Sequence, residues 1–298
     1  FRGTIYATAA TCDLASVMLA DAGHLQEQDV KHVNKRRVKE GKRPFEPLYT
    51  VQDAHSAMNF FRSVSYEKPF KLENGAEVVF HEAGHILGSA WVELRIKTSN
   101  GAKTLVFSGD IGRPGQPILR DPLPFQGADL LLMESTYGGR FHEKGQQIRT
   151  RLIELFQKAI EQKAKVIIPA FSVGRTQHLV YLLNELWNEG LLPPVPIYVD
   201  SPLALRATQV FRQHTECYDK EAAELLLRDP DPFGFGCLRY VQSVEESKAL
   251  NNQGGPLIII SASGMCEGGR VLHHLAHAVE NPRNMVLIIG FQAENTLG

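Results

Sequence analysis

The sequence has no apolar run near the roughly 20 residues that a membrane-spanning helix needs. Net charge is almost absent: 32 Lys and Arg face 33 Asp and Glu, leaving −1 at pH 7. That excludes a bulk polycation binding nucleic acid through net charge, while leaving room for a local basic groove. Cysteine is scarce. Cys12, Cys217, Cys237 and Cys266 form no C-x-x-C pair, which excludes a disulfide scaffold and a cysteine-rich zinc site. Buried reduced thiols are expected instead, and with them the cytoplasm. Low-complexity tracts, heptads and long repeats are missing, and Phe1-Arg2-Gly3 does not open a signal peptide. No G-x-G-x-x-G follows an expected strand, so a dinucleotide cofactor is set aside. A soluble globular chain is expected.

At 298 residues, 43% hydrophobic and 22% charged, the chain is long enough for two domains or one large one. It opens on the strand-like Thr4-Ile5-Tyr6-Ala7-Thr8. It stops soon after Met285-Val286-Leu287-Ile288-Ile289, which reads as a fully buried strand. Natural termini usually lie in exposed segments, so an excerpt of a longer protein is expected. Up to about Ser135 strands dominate: Val78 to His81, Trp91 to Lys97, Thr104 to Ser108 and Leu130 to Glu134, after a helix from Asp13 to about Glu27. Ser99-Asn100-Gly101-Ala102 reads as a hairpin turn in which Asn-Gly supplies positive φ angles. Lys31, Lys35, Arg36, Arg37, Lys39, Lys42 and Arg43 crowd one stretch. A solvated helix or lid is the favoured reading there, ahead of an RNA-contacting arm.

After Gly139 helices and strands alternate. Ile148, Leu152, Leu155, Phe156 and Ala159 make one apolar helical stripe, and Leu179, Leu182, Leu183, Leu186 and Trp187 another. Val166 to Ile168, Ile197 to Val199, Leu257 to Ile260 and Met285 to Ile289 are short unbroken apolar runs. Such runs between helices imply a parallel sheet covered on both faces. Ligands gather at the carboxyl ends of strands in these sheets. Here those ends carry Phe171-Ser172-Val173-Gly174-Arg175, Asp200-Ser201-Pro202, and Ser261-Ala262-Ser263-Gly264-Met265 with Gly268-Gly269-Arg270. Small residues before a helix let backbone N–H groups approach an anion, Ser201 can cap a helix whose first turn holds Pro202, and Arg175 and Arg270 add forked donors. One such loop is ordinary capping; three together point to a polyanionic substrate.

Metal-ligand candidates lie in the first half. His81 and His85 have H-x-x-x-H spacing, but a zincin is rejected on the expectation that Gly84 and Gly88 oppose the helix it needs and that the H-E-x-x-H order is lacking. Asp110, after Ser108-Gly109, and Glu134, after Leu131-Leu132-Met133, each end an apolar strand on an acid. Such an acid is costly to bury without a partner or a metal. One histidine and two acids at strand ends favour a metal site.

These residues bring a resemblance into view. Gly84-His85-Ile86-Leu87-Gly88, Ser108-Gly109-Asp110, Glu134-Ser135-Thr136-Tyr137-Gly138, Phe171 to Gln177, Asp200-Ser201-Pro202-Leu203-Ala204, Ser261 to Met265 and Gly290-Phe291-Gln292-Ala293 stand in family order. The sequence resembles the metallo-β-lactamase-fold nucleases of the β-CASP group. The resemblance implies an α/β chain: a partial metallo-β-lactamase αββα sandwich over 1–138, then an inserted β-CASP domain over 139–298 with a mainly parallel sheet flanked by helices. It implies that His85 is a zinc ligand, that Asp110 bridges two zinc ions, and that Glu134 orients a catalytic histidine. It further implies that the inserted domain holds RNA through Ser172, Gly174, Arg175, Asp200, Ser201, Ser263, Gly264, Gly268, Gly269 and Arg270. The sequence departs from the family pattern at His178, usually an acid, and at Asn295, usually Gly. The family's H-x-H-x-D-H signature and two later histidines are not in this sequence, so the excerpt is expected to be inactive alone.

The expected activity is zinc-dependent hydrolysis of RNA phosphodiesters in the parent protein, with RNA as partner, no membrane, and a homo-oligomer left open. A non-catalytic RNA-binding subunit is the alternative. A small-molecule hydrolase of the lactamase fold is disfavoured, because a small ester needs no second domain with three phosphate-type loops.

Overall fold

The computed structural model describes residues 2–139 and 148–298. The chain divides into two units, Phe1–Pro114 with Asp121–Glu134, and Gly115–Arg120 with Ser135–Gly298. The short strap 115–120 joins the second unit because its apolar residues are buried there: Ile118 and Leu119 are 1% and 2% exposed. Asp219 N–H donates to Ile118 O at 2.7 Å, and Arg120 donates to Tyr218 O and Glu216 O.

In the first unit, β3 (Phe70–Lys71), β4 (Glu77–Glu82), β5 (Ala90–Thr98), β6 (Gly101–Phe107) and β7 (Leu130–Leu132) form a sheet in that order. Neighbours are antiparallel except β6 and β7, which are parallel. A separate parallel pair joins β1 (Ile5–Thr8) to β2 (Phe61–Val64). Ala83, Trp91 and Val106 make a core cluster with Phe125 packed against it. The β5–β6 hairpin closes through Ser99 and Asn100, and only Gly101 (φ 110°) takes a positive φ there. The expected Asn-Gly centre is therefore displaced by one residue: the register pairs Thr98 with Gly101, so Gly101 is the first strand residue rather than part of the turn.

The first helix, α1 (Ala9–Lys39), runs well past the expected end near Glu27 and takes in Lys31, Lys35, Arg36, Arg37 and Lys39. Its one internal glycine does not break it. Gly23 is buried where the segment leading into α2 (Val51–Ala57) crosses, and a Cβ there would meet Thr50 C and O and Val51 N at 2.8 Å. Glycine is thus retained for close approach, although alanine favours a helix by about 1 kcal/mol. Gly23→Ala is expected to destabilise the first unit by about 1–3 kcal/mol, checked by urea denaturation. A stabilising result would show that the crossing yields easily.

The second unit is built on an all-parallel sheet of β8 (Lys165–Pro169), β9 (Ile197–Asp200), β10 (Leu238–Tyr240), β11 (Leu257–Ser261) and β12 (Met285–Val286), in the order β10-β9-β11-β8-β12. Every residue of β11 is buried, as are the last four of β8. That is the burial expected of parallel strands covered on both faces. The helices are α3 (Ile148–Gln162), α4 (Arg175–Asn188), α5 (Pro202–Gln213), α6 (Lys220–Leu225), α7 (Val244–Asn252) and α8 (Arg270–Ala278). The expected buried strand over Met285 to Ile289 is corrected: β12 is two residues long, and Val286 and Ile288 are 45% and 42% exposed. It pairs only with β8, so one flank and part of its surface lie open. Asn295 has φ 64°, a left-handed conformation open to glycine and tolerated by asparagine. That accounts for asparagine at a position where the family usually has Gly.

Candidate active site and anion-binding loops

Two loops of the first unit meet edge to edge. Gly112 N–H donates to Ala83 O at 2.8 Å, and a Cβ on Gly112 would fall 1.7 Å from Gly84 O. The first loop leaves β4 through Gly84 (φ 61°) and turns back at Gly88 (φ 82°). Its shape is held by hydrogen bonds from Gly84 N–H to Glu82 Oε1 and from His85 and Ile86 N–H to Ser89 Oγ. The Gly88 carbonyl accepts from the hydroxyls of Thr8 and Thr11 at the start of α1. The second loop leaves β6 through Ser108 and Gly109 (φ 53°). Glu134 N–H donates to Ser108 Oγ, and Ile111 N–H donates to Glu134 Oε1 at 2.9 Å. Glu134 therefore braces the backbone beside Asp110.

The result brings His85 Nε2 within 3.8 Å of Asp110 Oδ2, with side chains 41% and 75% exposed. Two ligands on one tetrahedral zinc, each about 2.1 Å from it, stand about 3.4 Å apart. The pair fits two positions of such a site. Among the described residues no group of three or more His, Cys, Asp or Glu is gathered to hold a metal. His85 and Asp110 would account for only two ligands of such an ion.

His81-Glu82-Ala83-Gly84-His85 does match the string H-E-x-x-H. It lies on a strand end and a loop, however, not on a helix. The His81 ring is stacked on Trp91 and bonded to Glu67 and Glu93, while Glu82 is spent on Gly84 N–H. The two histidines share no site, which removes the zincin reading on geometric grounds.

In the second unit the ends of β8, β9 and β11 are laced together. Ser172 Oγ and Ser201 Oγ lie 2.9 Å apart, Ser261 Oγ donates to Asp200 O, and Ala170 N–H donates to Ser261 O. Ser201 caps α5 by accepting from Ala204 N–H, with Pro202 in the first turn. Gln177 is wholly buried; it accepts from Gly174 N–H and donates to Ser172 O, Ala204 O and Thr208 Oγ1.

Several expected anion contacts face inward instead. Asp200 is 0% exposed. Its carboxylate accepts from Arg270, from His274 Nε2 at 2.6 Å and from Ser247 Oγ, while His274 Nδ1 meets Asn251 Oδ1. Burial alone would raise its pKa, but the bonds from His274, Ser247 and Arg270 outweigh it and hold the carboxyl below its ordinary range. Asp200 therefore positions Arg270 and cannot touch a ligand. The N–H groups of Gly174 and Gly268 are likewise engaged, by Gln177 Oε1 and Ser263 Oγ. Glycine at 264 and 269 serves close packing between loops: a Cβ would meet Phe171 N at 2.9 Å and Ala262 O at 2.4 Å. Arg270 spends donors on Asp200 and Gln242 O, out of the five that a guanidinium carries. Of the expected contact side chains at these strand ends, Ser172, Arg175, Ser263 and Arg270 are partly exposed.

His274, Ser247 and Asn251 were not singled out from the sequence. The available signal was His274 four residues after Arg270, on one face of α8.

With two braced loops in one unit and a laced parallel sheet in the other, the chain carries a β-CASP domain in its second half. Residues 176–298 match the Beta-Casp domain. The chain is 35% identical over its whole length to Ribonuclease TTHA0252 of Thermus thermophilus, of which it covers 63%. It is 32% identical over 84% of its length to an RNase J-like protein of Methanocaldococcus jannaschii, covering 57% of that protein. It is also 30% identical over its whole length to the transcription termination factor FttA of Thermococcus kodakarensis, covering 44%. The chain thus spans about half the length of the curated relatives it matches.

Proposed function

We propose that the parent protein is a zinc-dependent ribonuclease. The observation that carries this reading is the His85–Asp110 pair, held at 3.8 Å by two loops locked together through Gly84 and Gly112. Relatives named ribonuclease support RNA as substrate, and a relative named as a transcription termination factor is compatible with the same ligand. His85 and Asp110 would hold zinc, which when bound supplies Lewis acidity and an acidified water for phosphodiester hydrolysis. Glu134 keeps the Asp110 loop in place through Ile111 N–H. Arg270, oriented by Asp200, and Arg175 would grip phosphates without reading bases. Among the described residues no helix is long and apolar enough to cross a membrane. The four cysteines form no disulfide, and we place the protein in the cytoplasm.

In the full-length parent, Asp110→Ala or His85→Ala is expected to abolish cleavage and to lower bound zinc by more than the roughly 10–100-fold that loss of a supporting residue costs. Elemental analysis reads the metal and a labelled RNA reads cleavage. Full activity and full zinc in Asp110→Ala would refute the assignment.

A further inference from the structure

We infer that the C-terminal half of α1 is an RNA-contacting arm, a second electrostatic surface that grips the phosphodiester backbone through Lys31, Lys35 and Lys39. This inference builds on the ribonuclease reading, because RNA is the polyanion which that reading supplies.

The stretch is an exposed helix up to Lys39, as expected, and its packing sorts the basic side chains by face. One face of this half-helix is occupied by returning chain: Asn34 exchanges two side-chain hydrogen bonds with the backbone of Phe45, both 2.8 Å. Arg37 lies 3.7 Å over the Phe45 ring and donates to Arg43 O. Asn34 and Arg37 are accordingly half-buried. The adjoining face carries Lys31, Lys35 and Lys39, spaced i, i+4 and i+8 and all exposed, around a shallow groove that Asn34 and Val38 also line.

Acid on that side is confined to the turn before the stripe, where Asp29 shares a surface with Lys31 and Lys35. The stretch 31–43 holds seven Lys and Arg against one acid, Glu40, in a chain of net charge −1. Glu40 is taken by Arg36 and Lys42. Among the described residues no carboxylate comes within ion-pair distance of Lys31, Lys35 or Lys39. Like charges at i and i+4 destabilise a helix, so the stripe is a standing electrostatic strain that a polyanion would relieve. Three ammonium groups over two turns span about 12 Å, and a flexible single strand can bring successive phosphates to each of them.

The test is fluorescence anisotropy of a labelled 20-nucleotide single-stranded oligouridylate against the full-length protein at several KCl concentrations. Wild type is compared with Lys31→Gln/Lys35→Gln/Lys39→Gln, with the corresponding triple Glu variant, and with Arg270→Ala. Circular dichroism checks that α1 persists, which glutamine favours about as well as lysine. The glutamine variant is expected to bind roughly 10–100-fold more weakly at 0.1 M salt, and its log–log salt slope should fall by about 2. The glutamate variant should bind more weakly still. Unchanged affinity and slope in both lysine variants, with Arg270→Ala weakened, would overturn the arm and leave the ribonuclease reading intact. Absence of RNA binding by wild type at low salt would overturn both. Triple-variant loss of binding to phosphatidylglycerol vesicles, with RNA binding unchanged, would assign the stripe to a membrane surface instead and overturn the proposal.

Discussion

Gly112→Ala is expected to destabilise the first unit by about 3 kcal/mol and to cost the parent protein the zinc and the cleavage proposed for it together. The Cβ would fall 1.7 Å from Gly84 O and 2.8 Å from His85 N, so two backbones, not a flexible side chain, must move. Separating them breaks the Gly112 N–H to Ala83 O bond and widens the 3.8 Å gap between His85 and Asp110. Zinc ligands must stand at set distances from one ion, so metal binding should fall even where the fold survives. Gly268→Ala is the matched control, since nothing lies within 4 Å of its added Cβ. Urea denaturation and elemental analysis of both variants check the expectation. Wild-type zinc content in Gly112→Ala would show that the two loops are not mutually positioned by this contact.

Asp200→Ala should destabilise the second unit by about 3–5 kcal/mol. The carboxylate sits at the junction of three strand ends, and its removal strands the buried donors of Ser247 and His274 and the charge of Arg270. Such one-sided deletions are severe because the remaining polar groups keep their desolvation penalty without a partner. The same carboxylate makes wild-type stability depend on acid. Its folded pKa lies below that of the unfolded chain, about 3.9. Its contribution is therefore complete above that value and is lost as pH falls through the depressed folded pKa. Asp200→Ala should lack this part of the acid limb, which unfolding midpoints between pH 5 and pH 2 would read. An identical acid limb in both proteins would mean that Asp200 is not held charged in the folded state. Arg270→Ala should be milder in stability, because it removes one of three donors and leaves the carboxylate bonded to the other two.

Much of the fold was legible in the residue order. Unbroken apolar runs such as Leu257 to Ile260 announced a parallel strand buried on both faces, and the helical stripes of α3 and α4 appeared where expected. Ser201-Pro202 marked the start of α5 because N-capping and a fixed φ are local properties. His85, Asp110 and Glu134 could be picked out as polar residues just beyond apolar strands.

Contacts distant in sequence were beyond that reach. Whether Gly23 breaks a helix depends on Thr50 and Val51, which lie against it only after folding. Met285 to Ile289 has the composition of a central strand, yet its pairing leaves it at an edge. Asp200 looked like one more polar residue before a helix; only the arrival of Ser247, Arg270 and His274 from other elements makes it a buried keystone instead of a ligand contact. Local propensity and polarity pattern can be read along a chain because they depend on near neighbours. Burial, and which donor meets which acceptor, depend on residues tens of positions apart, and tertiary packing alone decides them.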